Sequence, residues 1–255
     1  MIIEMCGPPG VGKTTLARAL TDRLRERGLP VDLASSYRPS ERTNAPPPMR
    51  SWRTGLFNTL HRLARPAREL LMICNSLSNR SREATTAQLL LSSMPPRSVI
   101  LNFRLRQYIW RFSHLWFKAC GPDRIVVFDQ AFVQLICSLA LLSTTTDDAQ
   151  VLRVLTTLVP RPDFLVRVVA PREVLQSRLL ERSRGQGWIE RHLEFDLHTN
   201  LKAVDFFEHL QPLLKQHGWL TMCVDAAGPQ ACAKALARLE LDIVERFAAR
   251  AGAVP

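Results

Sequence analysis

The segment Gly7-Pro8-Pro9-Gly10-Val11-Gly12-Lys13-Thr14 constrains this chain more than any other. Glycine accepts backbone angles that other residues avoid, so Gly7, Gly10 and Gly12 let successive N–H groups turn toward one point. The run Ile2 to Cys6 before it is short and mostly apolar, which predicts a buried strand. The stretch Lys13 to Arg27 after it places Leu16, Ala17, Leu20 and Leu24 at helical spacing, with Gly28 as a stop. A strand that passes through a glycine-rich turn into the start of a helix aims unpaired amides and the helix's positive end at the same spot. Such a spot suits an anion, and phosphate above all.

The segment matches G-x-x-x-x-G-K-[ST] in full. In that pattern the backbone from Gly7 through Pro8, Pro9, Gly10, Val11 and Gly12 cradles the phosphates. Lys13 supplies a point charge for the β- and γ-phosphates, and the Thr14 hydroxyl is placed to ligate Mg²⁺. Thr15 stands next to the α-phosphate. The cofactors expected are therefore a nucleoside triphosphate and Mg²⁺. No Asn-Lys-x-Asp guanine-reading motif occurs, so ATP is favoured over GTP.

Pro30 to Ala34 reads as a second strand, which makes the opening a βαβ unit and the sheet parallel. Further strands are expected at Arg124–Asp129, Asp163–Val169 and Trp219–Val224. Helical patterns fall at about Leu56–Asn79, Arg82–Ser93, Arg97–Ala119, Phe132–Ser143, Ala149–Val159, Pro171–Arg182, Ile189–His217 and Gln230–Arg250. The fold class expected is α/β, a three-layer sandwich around a five-stranded parallel sheet. Residues 1–255 form one domain in this reading, with residues 35–95 as a mobile acceptor-side insertion and residues 178–192 as an arginine-rich lid. The aromatics Phe103, Tyr108, Trp110, Phe112, Trp116 and Phe117 recur at helical spacing and read as core or subunit interface, with a base-stacking surface as the less favoured use.

The chain carries 34 basic against 23 acidic residues, a net charge of +11. A basic surface suits anionic partners. The charges are dispersed rather than packed into a dense block, so a nucleic-acid partner is not favoured and a solvated basic surface accounts for much of the excess. The six cysteines, Cys6, Cys74, Cys120, Cys137, Cys223 and Cys232, form no C-x-x-C pair and read as buried free thiols of a reducing compartment. The longest apolar run, Ala131 to Leu142, is too short to cross a bilayer and contains Gln134. With no secretory leader ahead of the first strand, a cytoplasmic location is expected.

Three further features point to phosphoryl transfer. Asp129 closes a β-branched apolar strand, at the end where a parallel sheet gathers its ligands. It can hold the Mg²⁺ shell or act as base toward an acceptor hydroxyl, and it can equally cap the helix starting near Ala131. Arg178, Arg182, Arg184 and Arg191 cluster at a glycine break, where guanidinium groups could close over charge developing on a transferring phosphoryl. A solvated face paired with Glu181, Glu190 and Glu194 is the alternative. Ser36-Tyr37-Arg38-Pro39-Ser40-Glu41-Arg42 follows the second strand beside the expected acceptor site. There Arg38 and Arg42 suit an anionic acceptor and Glu41 a sugar hydroxyl, and an ordinary polar loop fits the segment as well.

Together, the phosphate loop, Tyr37-Arg38-Pro39-Ser40-Glu41, the strand ending in Asp129, and Arg178-x-x-x-Arg182-x-Arg184 with the later Glu190 resemble the thymidylate kinase and deoxynucleoside kinase branch of the nucleoside monophosphate kinase-like group. The resemblance spans roughly residues 1–225. It implies the kinase-like strand order 2-3-1-4-5, an ATP- and Mg²⁺-dependent kinase that phosphorylates a nucleoside or nucleotide, and pairing of two copies through the apolar helices. The chain departs from that branch at two places. Gln130 stands where the branch usually has arginine, and Arg38-Pro39 lacks the intervening glutamate. Both departures fall on the acceptor side, and Gln130 joins Arg38, Glu41 and Arg42 as a candidate acceptor contact.

Two classes of function follow. One is a phosphotransferase that moves the γ-phosphate of ATP to a small molecule, with Lys13, Asp129, Arg178, Arg182 and Arg184 as its catalytic groups. The other is a nucleotide-dependent switch or accessory ATPase that binds a protein or nucleic-acid partner through the apolar helices and the basic surface. A 5′-hydroxyl kinase acting on a nucleic-acid end borrows from both.

Overall fold

The computed structural model describes residues 1–35, 82–121, 123–143, 147–184 and 197–252. Five strands form one sheet: β1 (Ile2–Cys6), β2 (Val31–Ala34), β3 (Ile125–Phe128), β4 (Phe164–Val169) and β5 (Thr221–Asp225). Their order is β2-β3-β1-β4-β5. Every pairing is parallel. The α/β fold and the kinase-like order expected from sequence are both present.

Eight helices appear among the described residues: α1 (Lys13–Glu26), α2 (Arg82–Ser93), α3 (Val99–Ala119), α4 (Phe132–Leu142), α5 (Asp148–Thr157), α6 (Arg172–Arg184), α7 (Leu197–Gln216) and α8 (Pro229–Gly252). They cover both faces of the sheet, so the inner strands β1, β3 and β4 are buried on two sides and read as near-continuous apolar runs. On one face, Ile2, Cys6, Val126, Phe128 and Leu165 pack against α2, α3, α4, α5 and α7. On the other, Ile3, Met5, Val127, Val166 and Val168 pack against Leu16, Leu20 and Leu24 of α1 and Leu239 and Ile243 of α8. Arg23 and Arg27 of α1 both pair with Glu240 of α8, which clasps the two helices on that face.

Several boundaries differ from the sequence expectation for local reasons. The aromatic helix starts at Val99 because the Ser98 side chain accepts from Leu101 N–H and caps it. Asp147 caps α5 in the same way, through Gln150 N–H at 2.7 Å. The break expected from Ser183 begins later, since α6 continues through Arg184. The helix expected at Leu56–Asn79 lies outside the described residues.

The aromatic stripe divides between core and surface. Trp116 and Phe112 are buried, whereas Tyr108 is 43% exposed. Trp116 stacks on Phe128 of β3 at 5.2 Å and meets Phe132 of α4 edge-on at 5.3 Å. The long helix is thereby pinned to the strand and helix that flank Asp129. The cysteines correct one expectation. The five described are free, but only Cys6 and Cys137 are buried; Cys120 and Cys223 are exposed and Cys232 is half-buried. Cys120 lies just past the end of α3 and Cys223 on the edge strand β5, where apolar neighbours in sequence do not become neighbours in space. No helix among the described residues is long and apolar enough to cross a membrane.

Candidate functional site

The phosphate loop leaves the C-terminal end of the central strand β1 and enters α1. Gly7, Gly10 and Gly12 all have positive φ, at 145°, 78° and 102°. Gly7 is required twice over, because a Cβ there would also lie 2.4 Å from the carbonyl oxygen of Val168. Gly12 is the N-cap of α1; the helix has no capping side chain and no acidic residue in its first turn. Its positive end is thus left to an external anion.

Lys13 is the first residue of α1 and is only 6% exposed. Its Nζ donates to the carbonyl oxygens of Gly7 at 2.7 Å and Pro8 at 3.0 Å. The ammonium therefore lies against the loop it is expected to serve. The next side chain, Thr14, donates its hydroxyl to Asp129 Oδ2 at 2.9 Å. Asp129 directly follows β3 and is fully buried. Ser35, directly after β2, donates to the same Oδ2 at 3.4 Å. The sheet order explains this meeting: β1 sits beside β3 and β3 beside β2, so the three strand ends bring loop, Asp129 and Ser35 together. Asp129 does not act as the N-cap of α4; that position belongs to Ala131, and the helix has no side-chain cap of its own. Arg111 of α3 completes this edge by donating to the Ser35 carbonyl at 3.3 Å.

A hydroxyl and a carboxylate at that separation are oxygen donors of the kind Mg²⁺ takes, with substrate phosphates and water completing the shell. No group of three or more His, Cys, Asp or Glu among the described residues could hold a metal by itself. Thr14 and Asp129 fit an ion that arrives with a nucleotide.

Arg178 of α6 packs onto the phosphate loop. Its guanidinium donates to Val11 O at 3.3 Å and to Ala226 O at 3.0 Å. It ties the loop to the turn after β5. Leu179 packs alongside, with its side chain 3.3 Å from where a Gly10 Cβ would be. Arg182 and Arg184 belong to α6, but their side chains, like Arg191, lie outside the description, and so do Arg38, Glu41 and Arg42. Gln130 is half-buried next to Asp129. Thr15 is exposed at the start of α1.

Two residues at the site were not picked out as functional from sequence. Gln134 of α4 accepts the Gly7 N–H through Oε1 at 3.1 Å. Its backbone N–H donates to Glu4 Oε1 on β1, also at 3.1 Å. Glu4 is fully buried, and removal from water pushes its carboxyl up to about 8, with the amides of Gln134, Val133 and Ala131 only partly offsetting that. The signal for Gln134 was a polar amide inside the apolar run Ala131–Leu142, and for Glu4 a charge inside a buried strand. A cavity of about 610 Å³ opens elsewhere, along β5 and α8 near Cys223, Lys234 and Arg238, and none of the candidate residues line it.

Sheet order and phosphate loop together define a phosphate-loop α/β protein with kinase-like topology. No protein-family model matches the chain. No curated protein sequence matches it either. Solved structures of deoxyadenosine kinase from M. mycoides align along its length. The one with products dCMP and a flexible dCDP bound is 11% identical, covering 96% of this chain and 100% of that chain at a TM-score of 0.48. The one with bound dATP is 12% identical, covering 95% and 99% at a TM-score of 0.48.

Proposed function

We propose that this chain is an ATP- and Mg²⁺-dependent phosphotransferase that moves the γ-phosphate to a small-molecule acceptor. The observation that carries the reading is the Thr14–Asp129 contact of 2.9 Å at the mouth of the phosphate loop. It supports one compact centre at which donor, metal and acceptor meet. The loop amides from Gly7 to Thr14 and the positive end of α1 bind the phosphates, and Thr15 lies beside them. Lys13, already held close to the loop, shifts from backbone carbonyls to phosphate oxygens. Thr14 and Asp129 hold Mg²⁺, which when bound neutralises charge on the phosphates.

Asp129 is also the candidate base. It is buried, it directly follows a strand on the ligand side of the sheet, and Ser35, itself held by Arg111, donates to its carboxylate. Arg178 fixes the loop against the turn after β5, and Arg182 and Arg184 belong to the helix that would carry cations toward the transferring group. Arg38, Glu41, Arg42 and Gln130 are assigned to the acceptor, for which a nucleoside or nucleotide is the leading class. ATP is taken as donor because no guanine-reading motif is present.

The test is ATP consumption by the purified chain with Mg²⁺ across a panel of nucleosides, nucleoside monophosphates, sugars and aminoglycosides. The expected result is turnover with one acceptor class and its loss in Lys13→Ala. Full activity in Lys13→Ala would refute the site. Hydrolysis that needs no acceptor but rises with DNA or RNA would move the protein to the switch class, and such binding should weaken steeply with salt.

A further inference from the structure

The N-terminus of α4 is capped from outside its own segment. Ala131, its N-cap, makes no side-chain cap bond, and its first turn holds no acidic residue. Helices normally satisfy their first amides with a Ser, Thr, Asp or Asn at that position. Here the cap comes from the neighbouring strand, where Glu4 Oε1 accepts the Gln134 N–H at 3.1 Å. The second oxygen, Oε2, is buried with no hydrogen-bond partner among the described residues. A fully buried carboxyl in the central strand is costly, and helix capping from solvent-exposed positions is commonplace. Its position ties α4 to something more than the helix.

The bonds continue past α4. Gln134 is 9% exposed, and its Oε1 accepts the N–H of Gly7 at 3.1 Å. The carbonyl of the same Gly7 accepts from Lys13 Nζ at 2.7 Å. One chain of hydrogen bonds thus runs from Glu4 through Gln134 and Gly7 to Lys13. Both ends of the Gly7 residue are held, at a φ that only glycine takes readily. We propose that Glu4 is a positioning residue of the nucleotide site, acting through Gln134 to set the first residue of the phosphate loop and, through it, Lys13. This rests on the reading of the loop as the ATP donor site and adds to it a route by which a buried acid controls donor affinity.

The surroundings of Glu4 give that control a direction. Its neighbours in register are Phe128 on β3 and Leu165 on β4, both apolar. Asp129 ends the adjacent strand β3. Cys6 on its own strand and Cys137 on α4 are titratable thiols in electrostatic reach, both pushed up by burial. Lys13 from the loop and Arg167 from β4 are the cations that act on Cys6. None of these charges offsets the burial of the Glu4 carboxyl, which is held neutral up to about pH 8. A bound triphosphate brings several negative charges to the other end of the chain of bonds, so it favours the neutral carboxyl further. By linkage, ATP affinity falls when the carboxyl ionises.

The test is isothermal titration of Mg²⁺–ATP into the full chain between pH 6.5 and 9.5. The forms compared are wild type, Glu4→Gln, Gln134→Leu and Lys13→Ala, each checked by circular dichroism. Wild-type affinity is expected to be level below pH 8 and to fall above it, by up to about tenfold per pH unit. Glu4→Gln, which keeps a neutral group of the same shape, should match wild type at pH 7 and lose the fall. Gln134→Leu should bind about 5- to 15-fold more weakly at pH 7, the worth of one buried hydrogen bond. A wild-type profile flat across the range, a Glu4→Gln profile that keeps the fall, or unchanged affinity in Gln134→Leu would each overturn the proposal while the donor reading stands. The wild-type profile alone decides the matter if the variants do not fold. If wild type does not bind Mg²⁺–ATP at any pH, the donor reading fails and this inference falls with it.

Discussion

The Thr14 hydroxyl donates to Asp129 Oδ2 at 2.9 Å, although the two residues are 115 positions apart. The bond joins the helix that follows the phosphate loop to the end of the neighbouring strand. It is the shortest description of the site, and the first prediction concerns it. Asp129→Asn keeps the shape and removes the charge. It should lower phosphotransfer about 10²- to 10⁴-fold, the range for losing a positioned acid–base group. Thr14→Val should weaken Mg²⁺–ATP binding more than binding of ATP alone. Titrations with and without Mg²⁺ separate the two; equal loss in both conditions would remove Thr14 from the metal site.

Lys13→Ala removes a nearly buried ammonium from the loop. Hydrogen bonds to charged groups are worth about 1.5–3 kcal/mol, so ATP should bind roughly 10- to 150-fold more weakly. The folded state also loses two bonds to the Gly7 and Pro8 carbonyls. A melting temperature close to wild type, combined with the affinity loss, would show that the lysine serves the ligand more than the fold.

Gly7→Ala should fail for steric reasons. Its Cβ would fall 2.4 Å from a backbone oxygen of β4, which cannot move without distorting the sheet. Strained backbone of this kind costs on the order of 1–3 kcal/mol before the clash is counted. For a chain of this size that is a fall of at least a few degrees in melting temperature. Gly12→Ala, where a Cβ meets nothing within 4 Å, should be milder in stability. Calorimetry on the pair would expose an error in this ranking.

Glu4 makes stability depend on pH in a definite sense. Its carboxyl is held at about 8 in the folded protein, against an ordinary value of 4.5. Its folded pKa is raised, so the contribution to stability is fully present below about pH 4.5. It is lost as pH climbs to about 8, at roughly 1.4 kcal/mol per pH unit, and is then level. Glu4→Gln lacks this loss. The difference in unfolding free energy between variant and wild type should therefore grow in the variant's favour from pH 5 to 8. A difference that stays constant over that window, measured by urea denaturation, would mean the carboxyl ionises normally.

Trp116→Ala tests how the site is braced. The indole packs on Phe128 and Phe132, the residues on either side of the Asp129 turn. Truncating a buried tryptophan costs about 3–5 kcal/mol. Phosphotransfer should suffer beyond the loss of folded protein, because the support for Asp129 goes with the ring. Specific activity per folded molecule would remain unchanged if the cluster served stability alone.

How much of this was legible in the sequence depended on where each residue's partners came from. The loop, β1 and α1 declare themselves because glycine chemistry and periodicity are local. Asp129 was legible because a β-branched run ending in a carboxylate is a local pattern too. Its meeting with Thr14 and Ser35 was not, since those residues arrive from α1 and from the end of β2. Glu4 and Gln134 look unremarkable as neighbours of apolar residues; their meaning arises only when β1 packs on α4. Arg178 fitted a lid by its spacing, yet its carbonyl partners, Val11 and Ala226, lie far away in sequence. Arg38, Glu41 and Arg42 remain proposals for the acceptor.

The strand that launches the phosphate loop is central in the sheet yet precedes both of its neighbours, which start at Ile125 and Phe164. This has a consequence for biogenesis. The loop motif leaves the ribosome before either neighbouring strand, ahead of the residues that pin it. The backbone of Ile2 waits for Asp163, 161 positions later, and that of Gly7 for Gln134, 127 positions later. Contacts so distant in sequence close late and slowly. A nascent chain halted before Ile125 would carry the whole motif and no nucleotide site. During synthesis, acquisition of ATP binding would report that β3 and β4 have docked on either side of the first strand.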